Sequence, residues 1–294
     1  MVSRINKQTF LTSGTWVCPA GISNITISGC GGGGGGAGGM SGSFTASTVS
    51  NAGGGGAGAI FSSYKITAVP GNSYIVTVGA GGVGSPPGLS GAFGLPGGNT
   101  TIQGTFIENG ISAFVTVIFI GASGGGPVQA FITSNTSYGG LSINKFRQHT
   151  VTNGTLFYHA TDLDQQPQSG GNGAFTDSAG VLVFSSSGIN SIHQNAGGIH
   201  GTNGTNVSTS FGGGGGGGGG APPMGFGKVG GAGGSGGNGS LLTATDATDG
   251  AAGTGIGYGG GGGGSGGSST SGTPGNGGHG ADGGPGILII EWVD

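Results

Sequence analysis

Phe211 is followed by nine consecutive glycines at 212–220, and shorter runs of the same kind stand at 31–36, 53–56 and 259–264. A glycine run has no side chain to bury, and it loses more conformational freedom on ordering than any other sequence of its length. Such runs are therefore either flexible linker or backbones packed directly against one another. The rest of the chain decides between the two.

Glycine fills 83 of 294 positions, about four times its ordinary share. A solvated linker of that composition also carries high net charge and few apolar residues. Here 5% of residues are charged, the formal net charge is −3, and 33% are hydrophobic. The apolar residues are gathered into short strand-like runs. These features favour packing.

The runs alternate or are β-branched. Thr9-Phe10-Leu11-Thr12 and Thr15-Trp16-Val17 flank Ser13-Gly14, and 22–28 carries apolar residues at Ile25 and Ile27 before entering the glycines at 31. Residues 59–66 and 73–78 are separated by the turn Pro70-Gly71-Asn72, and 99–102 and 287–293 complete the set. No stretch sustains a 3.6-residue period with capping residues, so helix is expected to be nearly absent. Between 103 and 195 glycine thins out and apolar runs appear at 114–120, 128–132, 156–158 and 181–184. The expected organisation is a glycine-rich first half at 1–102, a β-rich insertion at 103–195, and a second glycine-rich region with a closing strand at 196–294, together one composite domain.

The glycine-rich regions have a period. Ala232, Ser235 and Asn238 stand three apart among glycines, as do Asn276, His279, Asp282 and Pro285, with Ala281 the one intruder. Three residues per turn and a rise of about 3.1 Å per residue define the polyproline II helix, which has no internal hydrogen bonds. With glycine on two of its faces, such helices approach closely enough to bond backbone to backbone, and the third face carries side chains outward. The expected fold is all-β with a polyglycine II helix bundle, short strands clamping the ends of the glycine segments. An all-glycine run such as 212–220 is expected near the bundle's centre. Collagen needs abundant proline, and 11 prolines mostly outside the periodic stretches do not supply it.

Several function classes are disfavoured by composition. Six Lys and Arg residues give no basic footprint for nucleic acid, and there is no Arg-Gly-Gly triplet. The first residues contain no apolar signal region, and the longest apolar run, 111–120, is half a membrane span. Cys18 and Cys30 are the only cysteines, and their placement at the two ends of one strand keeps them from bridging. Both read as small buried apolar residues.

No cofactor or catalytic motif survives inspection. GxGxxG matches are meaningless in this background. A P-loop around Lys228 fails, because Val229 follows it and Pro222 stands where the first glycine belongs. Residues 277–282 match the start of a calcium-binding nonapeptide, but Gly284 occupies its apolar position and no second copy exists. His159 with Asp162 and Asp164 is the one tight ionisable cluster, and it reads as a hydrated loop. No serine is paired with a positioned base, so the protein is expected not to be an enzyme. Asn-x-Ser/Thr triplets, such as those at Asn24 and Asn238, are expected by chance in so Asn- and Thr-rich a chain.

Phe10-Leu11-Thr12-Ser13-Gly14-Thr15-Trp16-Val17-Cys18-Pro19-Ala20-Gly21-Ile22, a following strand and then poly-glycine resemble the glycine-rich domain of bacteriophage tail-fibre proteins. Residues 74–82, 97–101 and the last strand resemble it too, so the likeness covers the chain apart from 103–195. The resemblance implies a bundle of polyglycine II helices whose connecting loops contact a host surface. On that expectation the partners are other virion proteins, copies of the chain itself, and a host receptor or glycan. Nucleic acid and membrane insertion are not expected. The protein would be assembled in the host cytoplasm and carried in the virion. Exposed-looking residues in the loops 85–96 and 221–228, namely Phe93, Pro223, Met224, Phe226 and Lys228, are the candidate receptor or subunit contacts. The alternatives are a capsid or surface protein of a large DNA virus without a receptor role, and an ice-binding protein.

Overall fold

The computed structural model describes residues 4–39, 41, 53–58, 60–88, 93–108, 110–122, 124–125, 150–152, 155–159, 175–176, 182–183, 198–199, 201–202, 215–220, 227–264, 269 and 272–294. Among them there is no helix, and the regular elements are all strands. In chain order these are β1 (Ile5–Phe10), β2 (Gly14–Val17), β3 (Asn24–Cys30), β4 (Ile60–Ala68), β5 (Ser73–Thr77), β6 (Thr100–Glu108), β7 (Ile111–Phe119), β8 (Thr150–Thr152), β9 (Thr155–His159), β10 (Phe175–Thr176), β11 (Leu182–Val183), β12 (Gly227–Val229), β13 (Thr254–Gly255) and β14 (Ile287–Val293).

Ten strands form one nearly closed sheet. One layer runs β1-β14-β3-β4, and the other runs β2-β5-β6-β7-β9-β8. They meet at a corner where Thr67 and Ala68 of β4 pair with Ile107 and Phe106 of β6. β5 takes the other half of that edge of β6, through Ile75, Val76 and Thr77. The turn at 69–72 thus sends β4 and β5 into different layers. Gly110, at φ +80, lies in the reversal between β6 and β7, where Glu108 pairs with Ile111, a backbone conformation that glycine adopts freely.

Period-two alternation places one face of every core strand inward. Ile25 and Ile27, Leu288 and Ile290, Tyr74 and Val76, Ile102 and Phe106, Val115 and Val117 are all buried between the layers. Trp16 is their aromatic centre, 5.3 Å from the Tyr74 ring and 5.9 Å from that of Trp292 across the layers. Tyr74 continues the stack to Phe106 at 4.6 Å. The hydroxyl of Tyr74 accepts the Val69 N–H and donates to the Thr105 carbonyl, each at 2.7 Å. Those two bonds tie the β4–β5 turn to β6.

Among the described residues, six strands of this sheet enter or leave a glycine-rich segment, all at the same end of the sandwich. β3 continues into 31–39, β5 into 79–88 and β7 into 121–125, while 53–58 leads into β4, 93–98 into β6 and 276–286 into β14. The directions agree with the antiparallel pairing of these strands. The sheet and the glycine segments therefore form one continuous body.

Candidate functional site

At that end, backbones lie where side chains would ordinarily pack. Segment 31–39 is buried along its whole length. Gly32 and Gly35 donate to Gly98 and Leu95; Gly33, Gly36 and Gly39 donate to Gly284, Ala281 and Gly278; Gly34 and Ala37 donate to Gly56 and Gly53. Its carbonyls accept in the same rhythm. Those of Gly33, Gly36 and Gly39 take the N–H groups of Gly82, Ser85 and Gly88, those of Gly32 and Gly35 take Ala122 and Gly125, and those of Gly34 and Ala37 take Gly260 and Gly263. Residues i and i+3 thus bond the same neighbour. Three neighbours run antiparallel to the segment (93–98, 276–286, 53–58) and three run parallel (79–88, 121–125, 257–264).

Segment 257–264 is a second such centre, bonded to 31–39, 53–58, 276–286, 215–220, 230–236 and 247–251. The two centres touch each other and share 53–58 and 276–286 as neighbours. The glycines at 215–220 are buried too, and among the described residues they bond 198–202, 230–236, 53–58 and 257–264. Residues 212–214 of that run lie outside the described residues.

The close approach is what requires glycine. A Cβ on Gly33 or Gly36 would meet the carbonyl of Tyr258 or Gly261, and one on Gly32 or Gly35 that of Ala80 or Val83, all closer than 3.0 Å. In the stretches with a three-residue period, the side chains are turned outward, whereas Ala37 and Ala57 are buried. Asn276, His279, Asp282 and Pro285 are all exposed; Gly231, Gly234 and Gly237 are buried while Ala232 and Ser235 are half-buried and Asn238 is exposed. Ala80, Val83 and Pro86 form another exposed row, beside Leu95, whose N–H donates to the Val83 carbonyl at 2.8 Å.

Of the expected contact residues, Phe93 is 67% exposed at the start of 93–98, near Val83 and Leu95, which are also exposed. Pro223, Met224 and Phe226 lie outside the described residues, and of Lys228 only its backbone place in β12, paired with β13, is described. Segment 93–98 borders 31–39, whereas 230–236, which follows β12, borders 257–264. The two expected contact regions are thus attached on opposite flanks of the paired centres. Sequence reading missed residues 245–250, Thr245-Asp246-Ala247-Thr248-Asp249-Gly250, in which Thr and Asp each recur after three. The Thr hydroxyls accept the N–H groups of Asn238 and Ser235, and the Asp carboxylates those of Asn276 and His279.

The chemistry on offer is quiet. Burial pushes the Cys30 thiol well above its ordinary range, so it stays protonated and donates to the carbonyl oxygens of Gly31 and Gly58. A protonated thiol is not a nucleophile. Cys18 is likewise free and buried, its thiol raised by burial. Burial, and then the negative charge of Asp282, raises the Tyr258 hydroxyl. Among the described residues no group of three or more His, Cys, Asp or Glu could hold a metal; His159 falls in β9, and Asp162 and Asp164 lie outside those residues. Away from the bundle, a groove of about 690 Å³ crosses the outer face of the β14-β3-β4 layer, where Glu291, Thr26 and Lys65 stand in one cross-strand row. Glu291 is paired there with Lys7 at 3.9 Å. No helix among the described residues is long and apolar enough to cross a membrane. No protein-family model matches the chain, and no curated protein matches its sequence.

Proposed function

We propose that the chain is a non-enzymatic virion structural protein, a tail-fibre or adhesin component in which a rigid polyglycine II bundle carries host-contact loops. The observation that carries the architecture is the bonding rhythm around 31–39, where every third residue returns to the same neighbour. Three residues per turn produce that rhythm, and a rise of about 3.1 Å makes nine residues a rod of roughly 28 Å. The virion role rests on the resemblance of 10–22 and the strands around it to the phage domain. A rod built of backbone, with its charges at the rim, gives a surface protein stiffness with few long-range charge interactions, and recognition is left to the loops.

Two measurements test the two parts. An experimental structure should place φ and ψ of residues 31–39 near −75° and +145°; sheet or disordered values there would end the polyglycine II reading. Antibody labelling of purified virions should mark the tail fibre, and Phe93→Ser or Phe226→Ser chains should assemble yet adsorb poorly. Label on the shell with adsorption intact would instead favour the capsid reading, and absence from particles would refute both.

A further inference from the structure

A backbone with three residues per turn sends its N–H groups out in three rows, and a segment at the rim of a bundle has a row facing away from the interior. Segment 276–286 shows the rows separately. The N–H groups of Gly278, Ala281 and Gly284 donate inward to the carbonyls of Gly264, Gly261 and Tyr258; those of Gly280, Gly283 and Gly286 donate to Ser85, Gly82 and Gly79. The third row, at 276, 279, 282 and 285, is exposed. There the Asn276 N–H donates to Asp246 Oδ1 and the His279 N–H to Asp249 Oδ1, both at 2.7 Å. Pro285 has no N–H to offer.

Other rim segments are treated alike at some outward positions, whereas the N–H groups of Asp282, Ala232 and Gly81 in these rows have no acceptor among the described residues. On 230–236 and its continuation, the N–H groups of Ser235 and Asn238 donate to the hydroxyls of Thr248 and Thr245 at 2.6 Å. On 79–88, the Gly84 N–H donates to Asp282 Oδ1 at 2.7 Å, and three residues on Pro87 has no donor. The Gly121 N–H donates to Asn99 Oδ1 at 2.9 Å. On 93–98 the N–H groups at 94 and 97 and at 95 and 98 are bonded to neighbours, and Pro96 deletes a donor of the remaining row. Side-chain oxygens and prolines thus fall at outward donor positions on separate segments.

We propose that these groups blunt the rim: they interrupt donor rows that would otherwise template a glycine segment from a second copy of this chain, and so limit how many segments the bundle holds. An open donor row at a spacing of about 9 Å matches the carbonyl row of any other three-residue-per-turn segment. The hazard is that of an exposed sheet edge, which proteins blunt with charge and proline. The strip 245–250 serves two segments at once, its threonines toward 235 and 238 and its aspartates toward 276 and 279.

The test compares the full chain with Asp246→Ala/Asp249→Ala and Asp246→Asn/Asp249→Asn, reading amide hydrogen exchange at Asn276 and His279 and sedimentation velocity over a range of concentrations. The asparagine variant keeps a carbonyl acceptor at each position and removes only the charge. The alanine variant should exchange at those two amides roughly tenfold faster or more, as loss of a charge-assisted hydrogen bond implies, and should form larger species than the parent. The asparagine variant should match the parent in sedimentation. Unchanged exchange, faster exchange without association, or association of the asparagine variant to the same extent would each overturn the proposal, the last because charge alone would then keep copies apart. Should the double alanine chain fail to fold, Asp249→Ala alone, read at His279, carries the same outcomes.

Discussion

Replacing Gly36 by alanine, with Gly88→Ala as its control, tests whether backbone contact holds the bundle together. Both glycines lie in the array, and neither has a positive φ, so a side chain meets no intrinsic backbone strain at either. A Cβ on Gly36 would run into the Gly261 carbonyl and the Gly262 nitrogen, whereas one on Gly88 has nothing within 4 Å. The obstacle at Gly36 is backbone on a buried segment, so 31–39 and 257–264 must separate. That stretches the bonds joining them, from the Gly260 N–H to the Gly34 carbonyl at 2.9 Å and from the Gly263 N–H to the Ala37 carbonyl at 3.0 Å.

Two hydrogen bonds at about 1 kcal/mol net each, plus an overpacking cost of about 1–3 kcal/mol, give a destabilisation of about 3–5 kcal/mol. Alanine also restricts the unfolded chain, which stabilises either variant by about 0.4–1 kcal/mol. That contribution cancels in the comparison, so the variants should differ by about 3–5 kcal/mol, with Gly88→Ala at or slightly above the parent. Urea denaturation measures this as a shift in midpoint at constant slope. Coincident midpoints for the two variants would refute the reasoning, because flexible linker tolerates alanine equally at both positions.

Other outcomes follow from particular contacts. Tyr74→Phe keeps the ring in its stack but orphans the Val69 N–H and the Thr105 carbonyl, at about 1–3 kcal/mol in denaturant; an unchanged midpoint would mean that water replaces the hydroxyl. Alkali should destabilise the fold: above pH 9.0, the ordinary thiol value, Cys30 ionises in the unfolded chain but not in the folded one, so the native state holds more protons. Stability is then full below that pH and falls above it by up to about 1.4 kcal/mol per pH unit for this group. Cys30→Ala should flatten that part of a melting-temperature profile. Thermal hysteresis should be absent, since Ile75, Gln103 and Phe114 interrupt the threonines on the outer face of β5, β6 and β7; measurable ice shaping would revive the ice-binding reading. Inserting one glycine within 215–220 should change stability by less than about 1 kcal/mol, whereas one inserted between Gly283 and Gly284 should lower the melting temperature sharply, since it turns Asp282 and His279 away from the exposed row.

The all-β class and the strands 24–30, 60–68, 73–77 and 287–293 were legible because apolar alternation, or at 287–290 a short β-branched apolar run, survives in each. β1 was only partly so: Asn6, Lys7, Gln8 and Thr9 carry no alternation, and the strand exists because β14 supplies a partner along its length. The length of β6 and the hairpin after it were announced by Asn109-Gly110, a signal hidden behind the drop in glycine content that marked the expected insertion. In the periodic stretches the exposed positions were readable directly, since Asn276, His279, Asp282 and Pro285 are outward as their spacing implies. The all-glycine runs at 31–36, 215–220 and 259–264 are buried, as their lack of side chains implies. How many neighbours a run meets depends on where the sheet delivers it, and β3 delivers 31–39 among six. The strip at 245–250 escaped notice because it holds one glycine, although its period is the same three.

Why a glycine array needs a sheet at all follows from its symmetry. A one-residue slip of a half-buried β-strand exchanges its two faces and is strongly penalised. An all-glycine segment with three residues per turn has no such penalty: advancing one residue and turning by a third of a revolution restores every backbone bond. Such a segment has no register of its own. Register must come from whatever breaks the symmetry, which here means the buried Ala37 and Ala57, the Tyr258 ring against the backbone of Gly284, and above all the six strands joined to glycine segments. The backbone bonds also return about 0.5–1.5 kcal/mol each against an ordering cost of about 1–2 kcal/mol per residue, so the array alone sits near balance. The Trp16–Tyr74–Phe106 stack and the aliphatic core around it therefore supply both what the array lacks in free energy and, through strands that cannot slip, its phase.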